Sequence, residues 1–156
     1  TPSRNHLARL AAAPKHHLAD PAFAARLLGV DAEALVHATP SRGVGREATL
    51  LGQLFESLVT LDVRVYAQAA EARTGHLRIR GGDHEVDLVV ERGDGKVLAI
   101  EVKLAGSVTD RDVKHLTWLR HSLGDDLLDA VVITTGTDAY RRRDGIAVVP
   151  AALLGP

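Results

Sequence analysis

The feature that most constrains the fold is a hairpin signal in the middle of the chain. Two apolar segments with strand-like patterns, His84–Glu91 and Lys96–Lys103, flank the sequence RGDG at Arg92–Gly95. Glycine beside aspartate between two such segments is typical of a tight β-turn. The two segments are therefore predicted to pair as antiparallel strands, and the chain must place a β-sheet at its centre.

The loop length decides which residues face each other across this hairpin. A three-residue loop, with Gly95 in the left-handed conformation, places Asp87 directly opposite Glu101. A two-residue loop would put the two carboxylates on opposite faces of the sheet, because side chains alternate along a strand. The three-residue loop predicts that both acids share a face with Lys103, and that this face looks toward a long helix at 47–72.

Charges at these positions point to a functional site. Like charges directly opposed in a sheet are destabilising, and buried charges are costly unless they are paired or bound to a metal. Asp87 and Glu101 are therefore expected to share a divalent cation, or one of them is protonated. Magnesium prefers oxygen ligands and can polarise a phosphoryl group. Lys103 is placed to stabilise developing negative charge.

Asp87 followed by Glu101-Val102-Lys103 resembles the signature of the PD-(D/E)xK nuclease superfamily, although no proline precedes Asp87. The core of that superfamily is a helix, a three-stranded meander, a second helix and further strands. An acid on the first core helix often joins its metal site, and Glu56 matches that place. The resemblance implies catalytic roles for Glu56, Asp87, Glu101 and Lys103, with the three acids holding Mg²⁺ or Mn²⁺.

A more particular resemblance rests on three segments together. The sequences GQLFE at 52–56, EVD at 85–87 and IEVK at 100–103 are similar to the uncharacterised C-terminal domain of bacterial AAA-type ATPases. This resemblance implies an upstream P-loop ATPase module in the same full-length chain. It also implies an α/β fold with a restriction-endonuclease-like core at 46–156 and a helical N-terminal extension at 1–45. No ATPase site is expected here, because the glycines at 43–45 lack a following Gly-Lys-Ser/Thr.

Periodicity and capping signals predict the remaining elements. Asp20-Pro21 and Asp31 are typical starts of short helices, the first with an apolar stripe of Phe23, Leu27 and Leu28. The other expected elements are strands at 75–80, 84–91, 96–104 and 129–135, a helix from Thr109 to Ser122, and a terminal hairpin at 140–149.

Basic and aromatic side chains suggest contacts with nucleic acid, with DNA favoured over RNA. The candidates are Arg78, Arg80, Lys114, His115, Trp118, Arg141 and Arg142. Cations beside an aromatic ring suit a single strand, through phosphate contacts and base stacking. The alternative is structural: Trp118 packs against its neighbours, and the arginines are solvated on an edge strand and a turn.

Composition limits the function classes. A net charge of −1 gives no overall attraction to nucleic acid, and the absence of cysteine excludes disulfides and thiolate metal sites. The chain starts at Thr1 and contains no methionine, which favours a fragment of a longer protein. A cytoplasmic location is expected, because no apolar run has the length of a membrane span and the first residues lack the apolar core of a signal peptide. Two functions stay open, a metal-dependent nuclease and an inactive interaction or regulatory module of the ATPase. Homo-oligomerisation also stays open.

Overall fold

The computed structural model describes residues 17–37, 49–78 and 84–155. Its helices are α1 (Pro21–Leu27), α2 (Ala32–His37), α3 (Leu50–Ala69) and α4 (Lys114–Leu123), with 3₁₀ turns at Gly124–Asp126 and Ala151–Leu153. Its strands are β1 (Arg73–Arg78), β2 (Glu85–Glu91), β3 (Val97–Lys103), β4 (Leu127–Thr134), β5 (Tyr140–Arg141) and β6 (Ala147–Pro150). The predicted boundary at 45/46, the glycines at 43–45 and Arg80 lie outside the described residues.

The strands form a mixed six-stranded sheet in the order β1-β2-β3-β4-β6-β5. β1, β2 and β3 make an antiparallel meander, and β4 lies parallel to both β3 and β6. The predicted central strand and terminal hairpin are confirmed, since β4 lies inside the sheet and β5 pairs antiparallel with β6. The chain therefore has an α/β fold, as predicted.

Local capping explains where the helices begin. The Asp20 side chain accepts a hydrogen bond from the Ala22 amide, and Asp31 caps α2 by accepting one from Ala34. Thr49 does the same for α3 through the Gly52 amide. The apolar stripe of α1 is exposed among the described residues, with Phe23 at 67% and Leu27 at 81%. None of the helices in the described ranges has the length and apolar content needed to cross a membrane.

Two apolar clusters hold one helix on each face of the sheet. On one face, Val59 and Val63 of α3 pack with Ile100 and Val102 of β3. On the other face, strand residues that alternate with these, among them Val97, Ala99 and Val132, pack against Leu116 and Leu119 of α4. The faces follow from the period of two along each strand. Successive residues of a strand therefore face α3 and α4 in turn.

The central hairpin has the predicted three-residue loop. The Gly95 amide donates to the Arg92 carbonyl, the Arg92 amide donates to the Lys96 carbonyl, and Gly95 has a φ of 85°. Pairing of Leu88 with Ile100, and of Glu91 with Val97, gives the predicted register. The turn chemistry alone was enough to align the two strands.

The left-handed conformation at Gly95 makes a first prediction. Gly95→Ala is expected to destabilise the protein by about 1–2 kcal/mol, because a β-carbon is strained at positive φ. Gly93→Ala is the matched control, since Gly93 lies in the same loop without positive φ and a β-carbon there would contact nothing within 4 Å. Urea unfolding of both variants measures the difference. Equal stability of the two variants would contradict the prediction.

Candidate functional site

The regular pairing of β1 with β2 is interrupted at Asp87. Between the pairs Gly75–Val89 and Leu77–Val86, one residue of β1 opposes two of β2, Asp87 and Leu88. This is a β-bulge, which interrupts the alternation of side chains. As a result Val86 packs in the cluster under α4, whereas Leu88 packs under α3.

The bulge turns Asp87 into the gap between β2 and β3. Its Oδ2 atom accepts a hydrogen bond from the Val102 amide of β3 at 3.0 Å. The residue also lines a small cavity with Thr60 and Arg64 of α3. The Asp87 carboxylate therefore accepts the hydrogen bond that a backbone carbonyl would accept in a regular sheet, at the point where the pairing of β2 with β3 ends.

Glu101 and Lys103 form a largely buried ion pair next to this gap. The Lys103 Nζ atom lies 3.7 Å from Glu101 Oε2, and the two side chains are 21% and 4% exposed. Glu101 pairs with Val132 of β4, which belongs to the cluster under α4. The prediction that Glu101 and Lys103 look toward the long helix is therefore wrong. The register itself was predicted correctly, but the face that each helix covers was not.

Glu56 comes from the helix layer on the opposite face. It lies on α3, and its Oε1 atom is shielded from solvent, as is Oε1 of Glu101. Within the three described ranges, no group of three histidine, aspartate or glutamate side chains is close enough to hold a metal ion. Glu56 belongs to the helix that covers the other cluster, and its share in one metal site with Asp87 and Glu101 stays a prediction.

An aromatic cluster lies beside Lys103 and Asp87. The rings of His84 and Trp118 stack at a centroid distance of 4.2 Å and an angle of 8°. His115 meets His84 edge-on, with the two Nδ1 atoms 3.4 Å apart. The structural interpretation of Trp118 as a packing residue is confirmed. His84 was missed from the sequence, where its position just before a strand of the site was the only available signal.

The comparison with known families adds one finding. A family model described as "Domain of unknown function (DUF4143)" matches residues 51–154, about two thirds of the chain. The chain belongs to this family. The match covers α3, all six strands and α4, and therefore every residue of the site described above. No curated protein matches the chain.

Three of the arginines predicted to contact nucleic acid form ion pairs within this DUF4143 domain. Arg141 donates two hydrogen bonds of 2.9 Å to Asp129, which lower the pKa of that carboxyl. Arg142 pairs with Asp144 and Asp110. These contacts support the structural interpretation of both arginines. Arg78 pairs more loosely with Glu85, at 3.7 Å.

The position of His115 in the DUF4143 domain makes a pH prediction. Burial lowers the pKa of His115, and the positive charges of Lys114, His84 and Lys103 lower it further, while Asp87 opposes them. Between the ordinary histidine pKa of 6.5 and the lower folded pKa, the unfolded chain binds more protons than the folded one. The free energy of unfolding is therefore expected to fall on acidification from about pH 7 to about pH 5.

The measurement is urea unfolding at several pH values, for wild type and His115→Gln. The substitution removes the titrating group, so the stability of the variant is expected to fall less over the same range. Identical slopes in the two proteins would contradict the assigned direction of the shift.

Proposed function

We propose that this domain hydrolyses phosphodiester bonds of nucleic acid with the help of a divalent cation. The observation that carries the proposal is the buried ion pair of Glu101 and Lys103. It lies beside Asp87, whose carboxylate accepts a hydrogen bond from the Val102 amide. Two acids and a lysine in this arrangement are costly for a purely structural strand end. Their chemistry suits the stabilisation of charge on a phosphoryl group.

Each residue has a separate role in the proposed reaction. Lys103 donates hydrogen bonds to the negative charge that develops as water attacks phosphorus and the sugar oxygen departs. Glu101 holds the ammonium group in place from the buried side. Asp87 is held in position by the Val102 amide, which donates a hydrogen bond to its Oδ2 atom.

The donor set fits magnesium or manganese in kind and charge. Hard cations take carboxylate oxygens and commonly need only one or two from the protein. Asp87 and Glu101 are the residues that would hold the ion, and it would polarise the phosphoryl oxygen and acidify a bound water. Glu56, on the other helix layer, is a weaker candidate ligand.

Two further parts of the proposal extend the family assignment. The order of α3, the β1–β3 meander, α4 and the parallel strand β4 supports a restriction-endonuclease-like core. Membership of the DUF4143 family supports an ATPase module upstream in the full-length chain, as the resemblance of the three motifs implies.

The test is cleavage by the purified chain across single-stranded, duplex and branched DNA and RNA, with and without magnesium or manganese. Metal-dependent products are expected from wild type and none from Asp87→Asn. Magnesium is also expected to raise the melting temperature of wild type but not of Asp87→Asn, because an ion that binds only the folded state stabilises it. Glu56→Gln is expected to keep most of this shift. Absence of both cleavage and a metal-induced shift in wild type would refute the proposal.

A second candidate function is an interaction or regulatory module that keeps the fold without cleaving. The engagement of Arg141 and Arg142 in internal ion pairs favours it, because it reduces the cations available for phosphate contacts. The net charge of −1 points the same way. Under this alternative the site residues serve stability alone.

A further inference from the structure

Two histidine rings face each other between the start of β2 and the first turn of α4. His84 immediately precedes β2, and His115 follows Lys114, the first residue of α4. Their Nδ1 atoms are 3.4 Å apart, whereas the ring centroids are 5.6 Å apart. Each ring therefore turns its Nδ1 atom toward the other ring. The imidazole nitrogen is the commonest metal ligand in proteins, and two of them meet here.

The separation of the two nitrogens suits a shared zinc ion better than a hydrogen bond. Hydrogen bonds donated by N–H groups usually span about 2.7–3.2 Å, so 3.4 Å is long for one. Zinc binds histidine nitrogen at about 2.0–2.1 Å, which places two ligands of a tetrahedral ion about 3.3–3.4 Å apart. Octahedral magnesium would need its ligands about 2.8–3.0 Å apart. The pair can therefore take up zinc without moving.

Trp118 holds this arrangement in place. Its ring stacks on that of His84 at a centroid distance of 4.2 Å and an angle of 8°. It lies three residues after His115, on the same face of α4. A ligand that is already oriented loses less conformational freedom when it binds a metal ion, so the stacking favours binding.

The surroundings keep His115 in the form that binds a metal. Burial lowers its pKa, and the positive charge of Lys114 lowers it further. His84 and Lys103 act in the same direction, whereas Asp87 opposes them. Neutral imidazole is the form that coordinates metal ions. The lysines also repel a cation, but Lys103 is paired with Glu101, and the Asp87 carboxylate attracts the ion.

We propose that His84 and His115 form a zinc site, separate from the magnesium site of Asp87 and Glu101. Nitrogen ligands select zinc, whereas magnesium prefers oxygen. Within the ranges that the structure describes, no histidine, aspartate or glutamate completes a set of three with this pair. Water molecules would take the remaining positions of the ion, as one does at catalytic zinc sites. The bound ion would connect the start of β2 to α4, and the inference does not rest on cleavage.

The test is calorimetric titration of the purified chain with zinc chloride near neutral pH, in the presence of saturating magnesium. Zinc is expected to bind wild type and to raise its melting temperature. His84→Gln and His115→Gln are each expected to weaken binding more than about tenfold, since the loss of even an outer partner of a metal ligand costs about 10–100-fold. His121→Gln is the matched control on the same helix, where the ring contacts the Thr117 carbonyl, and it is expected to bind as wild type does.

Two further measurements keep the test independent of folding and of activity. Melting without zinc identifies variants that are folded, and acidification of wild type is expected to weaken zinc binding as the histidines take up protons. Asp87→Asn is expected to lose the magnesium-induced shift while it keeps its zinc affinity within about threefold.

Unchanged zinc affinity in folded His84→Gln and His115→Gln would overturn the proposal, because the ion would then be held elsewhere. Loss of zinc binding in Asp87→Asn would also overturn it, since the zinc would then occupy the carboxylate site. Zinc affinity that does not change with pH would exclude histidine ligands. The expected zinc results without any cleavage would leave this site standing while refuting the nuclease.

Discussion

Replacing Lys103 by alanine is expected to slow metal-dependent phosphodiester cleavage by about 10²–10³, the usual effect of losing one donor to transition-state charge. The lysine is only partly exposed, and the buried Glu101 carboxylate holds its ammonium group in place. Magnesium binding by Asp87 is expected to persist. Single-turnover cleavage at saturating magnesium is the measurement, at a temperature where the variant stays folded.

The matched control is Lys96→Ala, which lies beside the turn, immediately before the same strand. It removes an identical charge and is expected to change the rate by less than about threefold, because the effect of a distant charge is screened by salt. A Lys103→Ala rate within the range of this control would remove Lys103 from the reaction. No cleavage by any of the proteins would support the interaction module instead.

Lys103→Met is expected to lower the free energy of unfolding by about 2–3 kcal/mol. The substitution leaves the Glu101 carboxylate, 4% exposed, without its ammonium partner. Breaking a fully buried pair costs about 3–5 kcal/mol. The partial exposure of Lys103 lets water screen the charge, and this reduces the expected effect.

The double variant Glu101→Gln/Lys103→Met is expected to recover most of that loss, because it removes both charges and keeps the side-chain volumes. Urea unfolding of wild type, Glu101→Gln, Lys103→Met and the double variant gives the coupling energy of the pair. A double variant less stable than either single variant would show that the pair does not act as a unit. Together with the cleavage assay, the cycle separates the structural role of Lys103 from its role in the reaction.

Most of the fold could be predicted from local signals. Alternating segments, the RGDG turn and the capping residues Asp20 and Asp31 act over a few residues, and most elements appear within three residues of their predicted bounds. The exception is α4, which begins at Lys114 rather than at the predicted Thr109. The register of the central hairpin followed from one positive-φ glycine. The spacing of the apolar residues of α1 does not tell which of its residues are buried, and in the structure α1 buries Pro21.

The amino-acid sequence alone determined the α/β class, the hairpin register and the pairing of Glu101 with Lys103, because these depend on short-range geometry and strand period. Only the tertiary structure decided which helix covers which face, and that choice places Glu101 beside Val132, in the layer under α4. It also produced the bulge that turns Asp87 into the gap and opens the cavity beside Thr60. The covered faces and the bulge both depend on how β1 and the two helices pack on the hairpin. The residue pattern of a strand shows which side chains share a face, but it does not show which distant element will cover that face.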